Sequence, residues 1–133
     1  MNVICLDGKT IKWKMSSKSS KDLRGKSSLH KFAKELLNEK YPTLHILEEV
    51  TVPIRKGQVA YLDFYIPLLK LAIECHGRQH FTYVRHFHKS IYDFQQHRKR
   101  DREKAEWLDI NDISLIELVD GEQDLWREQL GLV

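Results

Sequence analysis

Two stretches of the chain alternate apolar and polar residues with the period of two that marks a half-covered strand: 58–66, QVAYLDFYI, and 69–76, LKLAIECH. Each carries an acid in its interior, Asp63 and Glu74. Further strands are read at 44–52, closed by Pro53 and followed by a turn at 54–57, and at 113–119. NVICLDGKTIKW reads as two short strands around an Asp7-Gly8 turn. Leu29, Phe32, Ala33, Leu36 and Leu37 keep helical spacing, with Ser27 or Ser28 as cap and Tyr41-Pro42 as stop. A long helix is expected over 88–108. Its sheet-facing stripe would be Ile91, Phe94, Arg98, Asp101, Ala105 and Leu108. The last residues, GEQDLWREQLGLV, form a short amphipathic tail. The order, a hairpin and then α-β-β-β-α-β, predicts an α/β sandwich around one mixed sheet. Residues 1–27 make the hairpin and a Ser/Lys-rich linker, and 28–133 the main domain.

At 133 residues, 41% apolar and 31% charged, the chain fits one globular domain. No apolar run approaches a membrane span, and the first residues lack a secretory apolar segment, so a cytoplasmic protein is expected. Cys5 and Cys75 are too few for a disulfide framework or a Cys-rich zinc module. The net charge of +3 is unevenly spread. Residues 1–40 hold ten Lys or Arg against four acids, 78–100 six against one, and 101–133 three against ten. Such asymmetry suits a basic surface for a polyanion.

On the strand period, Asp63 shares a face with Tyr61 and Tyr65, opposite Leu62, Phe64 and Ile66. Glu74 and His76 share a face opposite Leu71, Ile73 and Cys75. If the short Pro67-Leu68 connection makes these strands antiparallel neighbours, the two carboxylates converge. Converging carboxylates repel unless a cation sits between them, and hard oxygen donors with room for water suit Mg²⁺. A solvated polar face would explain one such acid, but it explains Asp-x10-Glu-x-His with matching faces less well.

The order of elements and the Asp63, Glu74, His76 pattern resemble the PD-(D/E)XK, or restriction-endonuclease-like, nuclease superfamily, with His76 at the lysine position and Leu62 where Pro is usual. The resemblance is closer to the very-short-patch repair endonucleases and the phage homing endonucleases built on that domain. It rests on Asp63-Phe64, His76-Gly77, His80, Arg100-Asp101-Arg102, Trp107 and 113–117, and covers roughly 28–118. The repair enzymes' zinc cysteines have no counterparts here, and their second His would align at Phe81.

The resemblance implies a Mg²⁺-dependent DNA endonuclease or nickase, with Mn²⁺ as substitute, acting as monomer or homodimer and, if phage-encoded, in the host cytoplasm. Asp63, Glu74 and the Cys75 carbonyl would hold the metal. His80 or His76 would accept the proton, since neutral imidazole can do so near pH 7. Asp101 would orient the site, or pair with Arg98 one turn back. Arg78, Gln79, Arg85, Lys89, Arg98, Lys99 and Arg100 would hold the DNA backbone. His86, His88 and His97 read as part of the same basic surface. The family carries a Glu on the first helix; by register His30 replaces it, Glu35 points away, and Glu48 and Glu49 are alternative acids. Two other readings stand beside this one: a non-catalytic DNA-binding module on a degenerate nuclease fold, and a small His-metal nuclease of the HNH kind.

Overall fold

The computed structural model describes residues 1–16, 28–77 and 90–132. The order is β1 (Asn2–Ile4), β2 (Thr10–Lys12), α1 (Ser28–Lys40), β3 (Leu47–Arg55), β4 (Gln58–Ile66), β5 (Leu71–His76), α2 (Ile91–Ile110), β6 (Ser114–Val119) and α3 (Gln123–Gln129). It is a mixed α/β fold. One sheet has the order β3-β4-β5-β6, antiparallel except for the parallel pair β5–β6 that α2 bridges, and β1–β2 form a separate hairpin. Among the described residues no helix is long and apolar enough to cross a membrane.

Two buried clusters line the sheet. One gathers Val50, Val52, Ile54, Leu62, Tyr65 and Ala72 with Trp107 and Leu108 of α2. The other gathers Phe64, Ile66, Leu71, Ile73 and Leu118 with Ala33, Leu36 and Leu37 of α1 and Trp126 of α3. The hairpin joins the first cluster through Val3 and Trp13, whose ring lies 4.8 Å from Tyr65 and 5.1 Å from Trp107. Asn111 anchors it: Oδ1 accepts from Ile4 N at 2.7 Å, and Nδ2 donates to the Ile4 and Trp107 carbonyls at 2.9 Å each.

Three expectations need correction. Pro53 does not close its strand, because β3 runs on to Arg55 before the two-residue turn Lys56-Gly57, where Gly57 takes φ +79°. β3 is an edge strand, where a missing N–H leaves no ladder bond unmade. The buried side of α2 is Glu103, Trp107 and Leu108, whereas Ile91 is 62% exposed and Arg98 and Ala105 are also exposed. Finally, Leu62 does not share a face with Phe64 and Ile66. The alternation shifts at Asp63, and the residue opposite, Glu49, adopts the left-handed φ of +51° inside β3. A local irregularity of this kind re-aims side chains next to a strand's pairing.

Candidate metal centre

Asp63 and Glu74 stand where the β4–β5 ladder gives out. Its last backbone pair is Phe64 with Ile73, and at the next position the side chains take over. Asp63 Oδ2 accepts from the Cys75 N–H at 2.8 Å, and Glu74 Oε2 accepts from the Asp63 N–H at 3.3 Å. The convergence expected from the strand period is therefore present, with each carboxylate bonded to the neighbouring strand.

Glu74 is 4% exposed and meets a cation the sequence reading did not place. Lys104 Nζ, from α2, donates to Glu74 Oε1 at 2.6 Å. Burial pushes the Glu74 carboxyl up to about 8; the Lys104 ammonium opposes the rise and the Asp63 charge adds to it. Burial works against the Lys104 charge, but Glu74, Asp63 and Asp101 overcome it and raise its pKa too. Burial leads the Glu74 rise and the acid charges lead that of Lys104, but three acids around one ammonium leave the cluster net negative. A divalent cation would answer the same field. Burial, with Asp63 and Glu74, also pushes the Cys75 thiol up, which removes a thiolate from the available chemistry.

On the other side of Asp63 lie His30 and Glu49, 5% and 6% exposed. One ligating atom from each of His30, Glu49 and Asp63 falls within 4.8 Å of the others. His30 stacks on the Phe64 ring at 4.4 Å, and its Nε2 bonds Glu48 Oε1 at 2.8 Å. Lys34 Nζ holds the second Glu48 oxygen at 3.0 Å. Desolvation works against the Glu48 charge, but the hydrogen bonds from His30 and Lys34 hold its carboxyl below the usual range. Of the acids left open by the sequence, Glu49 lies with His30 beside Asp63, Glu48 bonds His30, and Glu35 is exposed.

His76 is buried on the α2 side of β5, with Nε2 3.3 Å from Glu117 Oε1. It shares a small crevice with Glu74, Asp101 and Lys104. Asp101 is half-buried and also lines, with Tyr61, His97, Arg100 and Lys104, a groove of about 380 Å³ between β4 and α2. Arg98, Lys99 and Arg100 are exposed on α2, and the Arg98 guanidinium lies 5.8 Å from the Phe94 ring centre. His80, Arg78, Gln79, Arg85, Lys89, His86 and His88 lie outside the described residues. Lys104 had a signal in the sequence: it follows Asp101 by three residues, so the two share a helix face.

No family model matches the chain. No solved structure matches it. It is similar to uncharacterized protein 307L of Invertebrate iridescent virus 6, with 39% identity over 57 residues, 43% of this chain and 29% of that protein. The match therefore spans less than a third of that relative's length.

Proposed function

We propose that the chain is a metal-dependent DNA endonuclease or nickase of the PD-(D/E)XK kind. One observation carries this reading: Asp63 and Glu74 converge from adjacent antiparallel strands, each bonded to the other's strand, beside the Lys104 ammonium. The donors fit Mg²⁺, because carboxylate oxygens are hard and the surrounding negative field calls for a cation. Asp63 and Glu74 would hold it, with the Cys75 carbonyl as the further ligand the resemblance implies. When bound, such an ion polarises a phosphodiester and makes water more acidic.

The chain's own residues supply the rest. Lys104, fixed by Glu74, places a positive charge where a phosphate's developing charge needs neutralising. Asp101 sustains that ammonium through its own charge. Proton acceptance falls to His80 or to His76, whose Nε2 lies 3.3 Å from Glu117 Oε1. Arg98, Lys99 and Arg100 give α2 an exposed basic stretch for the phosphate backbone, which positions DNA without reading its sequence.

The Lys104–Glu74 contact also favours a second reading, a DNA-binding module on a degenerate nuclease fold, since Glu74 already has a resident counter-ion. Incubation of supercoiled plasmid with the purified chain separates the two. Nicked or linear DNA formed in Mg²⁺ and abolished by EDTA supports the nuclease. Retention of DNA without cleavage in Mg²⁺ or Mn²⁺ supports the module.

A further inference from the structure

We propose that His30, Glu49 and Asp63 form a second cation site, selective for a divalent first-row transition ion over Mg²⁺. Among the described residues they are the one set of three such side chains whose ligating atoms gather within 4.8 Å. Two donors on one ion at about 2.1 Å each lie at most about 4.2 Å apart, so the set closes with small side-chain movements. The three come from α1, β3 and β4, so the sheet and the helix packed on it fix their positions.

Four features set this group apart from a chance cluster. His30 and Glu49 are both more than nine-tenths buried, and Glu49 and Asp63 lie between the Glu48–Phe64 and Val50–Leu62 pairs with carboxylate oxygens within 4.8 Å. Like charges directly opposite destabilise a sheet unless something lies between them. The Phe64 ring and the Glu48 carboxylate lock the imidazole from two sides. The contact of His30 Nε2 with Glu48 is the carboxylate–histidine arrangement that orients a metal-ligating ring. Glu49 is held at φ +51°, a region L-residues enter at a cost, and such strain persists where surrounding structure imposes it.

The donor set decides the ion. An imidazole nitrogen with two carboxylates suits Mn²⁺, Fe²⁺, Co²⁺ or Zn²⁺, whereas Mg²⁺ prefers an all-oxygen shell with several waters. Asp63 lies between this site and the Glu74 side, so both would draw on its carboxylate. The inference does not rest on cleavage, because the site exists whether the chain cuts DNA or only binds it.

The test is Mn²⁺ titration of the intact chain, without DNA, followed by electron paramagnetic resonance. The expected result is one Mn²⁺ per chain with coupling to a ¹⁴N nucleus in the pulsed spectrum, less than half displaced by a tenfold excess of Mg²⁺; any further Mn²⁺, on the Asp63–Glu74 side, should lack that coupling. His30→Gln should lose the nitrogen coupling and weaken binding at least tenfold, and Glu74→Gln should keep both. Should His30→Gln fail to fold, Glu48→Gln keeps the imidazole and should weaken Mn²⁺ roughly 10- to 100-fold, the usual effect of an outer-shell partner. The absence of any nitrogen-coupled Mn²⁺, coupling that survives in His30→Gln, equal affinity of the coupled site for Mg²⁺, or no saturable binding would each overturn the site. Intact Mn²⁺ binding in a chain that never cuts DNA would sink the nuclease reading alone.

Discussion

Replacing Glu74 with Gln should stabilise the metal-free protein at pH 8 while leaving it little changed at pH 5. The Glu74 carboxyl is 4% exposed, and burial pushes its pKa from the ordinary 4.5 up to about 8. A folded-state pKa above the unfolded one means stability that is complete below pH 4.5 and lost as pH rises through about 8. The full displacement from 4.5 to about 8 sets an upper bound of about 5 kcal/mol on that loss. Gln keeps the shape and a hydrogen-bonding oxygen for Lys104 but never has to ionise. Urea unfolding in EDTA at pH 5, 6, 7 and 8 measures it. The histidines titrate in the same window, so the difference between Glu74→Gln and the parent isolates Glu74. That difference should grow with pH in favour of Glu74→Gln, by a few kcal/mol between pH 5 and 8. A parallel pair of pH profiles, or a variant less stable at pH 8, would refute the electrostatic account. Saturating Mn²⁺ or Mg²⁺ should narrow the gap, because a cation replaces the proton in the parent protein.

Glu49→Gly should raise thermal stability by about 1 kcal/mol, since glycine takes φ +51° freely, while weakening Mn²⁺ binding; calorimetry and metal titration read the two effects. Trp107→Ala, which empties a fully buried site against Trp13, should cost roughly 3–5 kcal/mol in urea unfolding. DNA affinity should fall with salt, with a log–log slope of about 0.9 per phosphate contact, and reversing the charge of Lys99 and Arg100 should flatten that slope.

The core of the fold and the meeting of Asp63 with Glu74 were legible in the chain. The short connection was enough to bring Asp63 and Glu74 together although the alternation shifts at Asp63, because an antiparallel pair joined by a tight turn has little freedom of register. What stayed hidden had particular causes. Pro53 looked like a strand end because its place on the sheet edge is a tertiary fact. The α2 stripe was phased from Ile91 and Phe94 near the helix start, where Ile91 turns out to be exposed, and that phase missed Glu103 and Trp107. Lys104 was missed with them, since a lysine shows its partner only when the strand opposite is known. Glu48 and Glu49 could not be told apart because a left-handed residue inside a strand is not something a Glu announces. That one φ value changes the face on which the alternation places Leu62 relative to Phe64.

If Asp63 and Glu74 form a hydrolytic centre for DNA, Asp63→Asn separates binding from cleavage. Plasmid cleavage in Mg²⁺ and duplex binding by fluorescence anisotropy are measured on the same preparation. Asn keeps the size of the side chain and an oxygen for the Cys75 N–H but loses the charge that would hold a cation. The account expects cleavage by the parent chain, none above background by Asp63→Asn, and DNA affinities within a few-fold of each other. Cleavage by Asp63→Asn at the parent's rate, or no cleavage by either protein in Mg²⁺ or Mn²⁺, would contradict it.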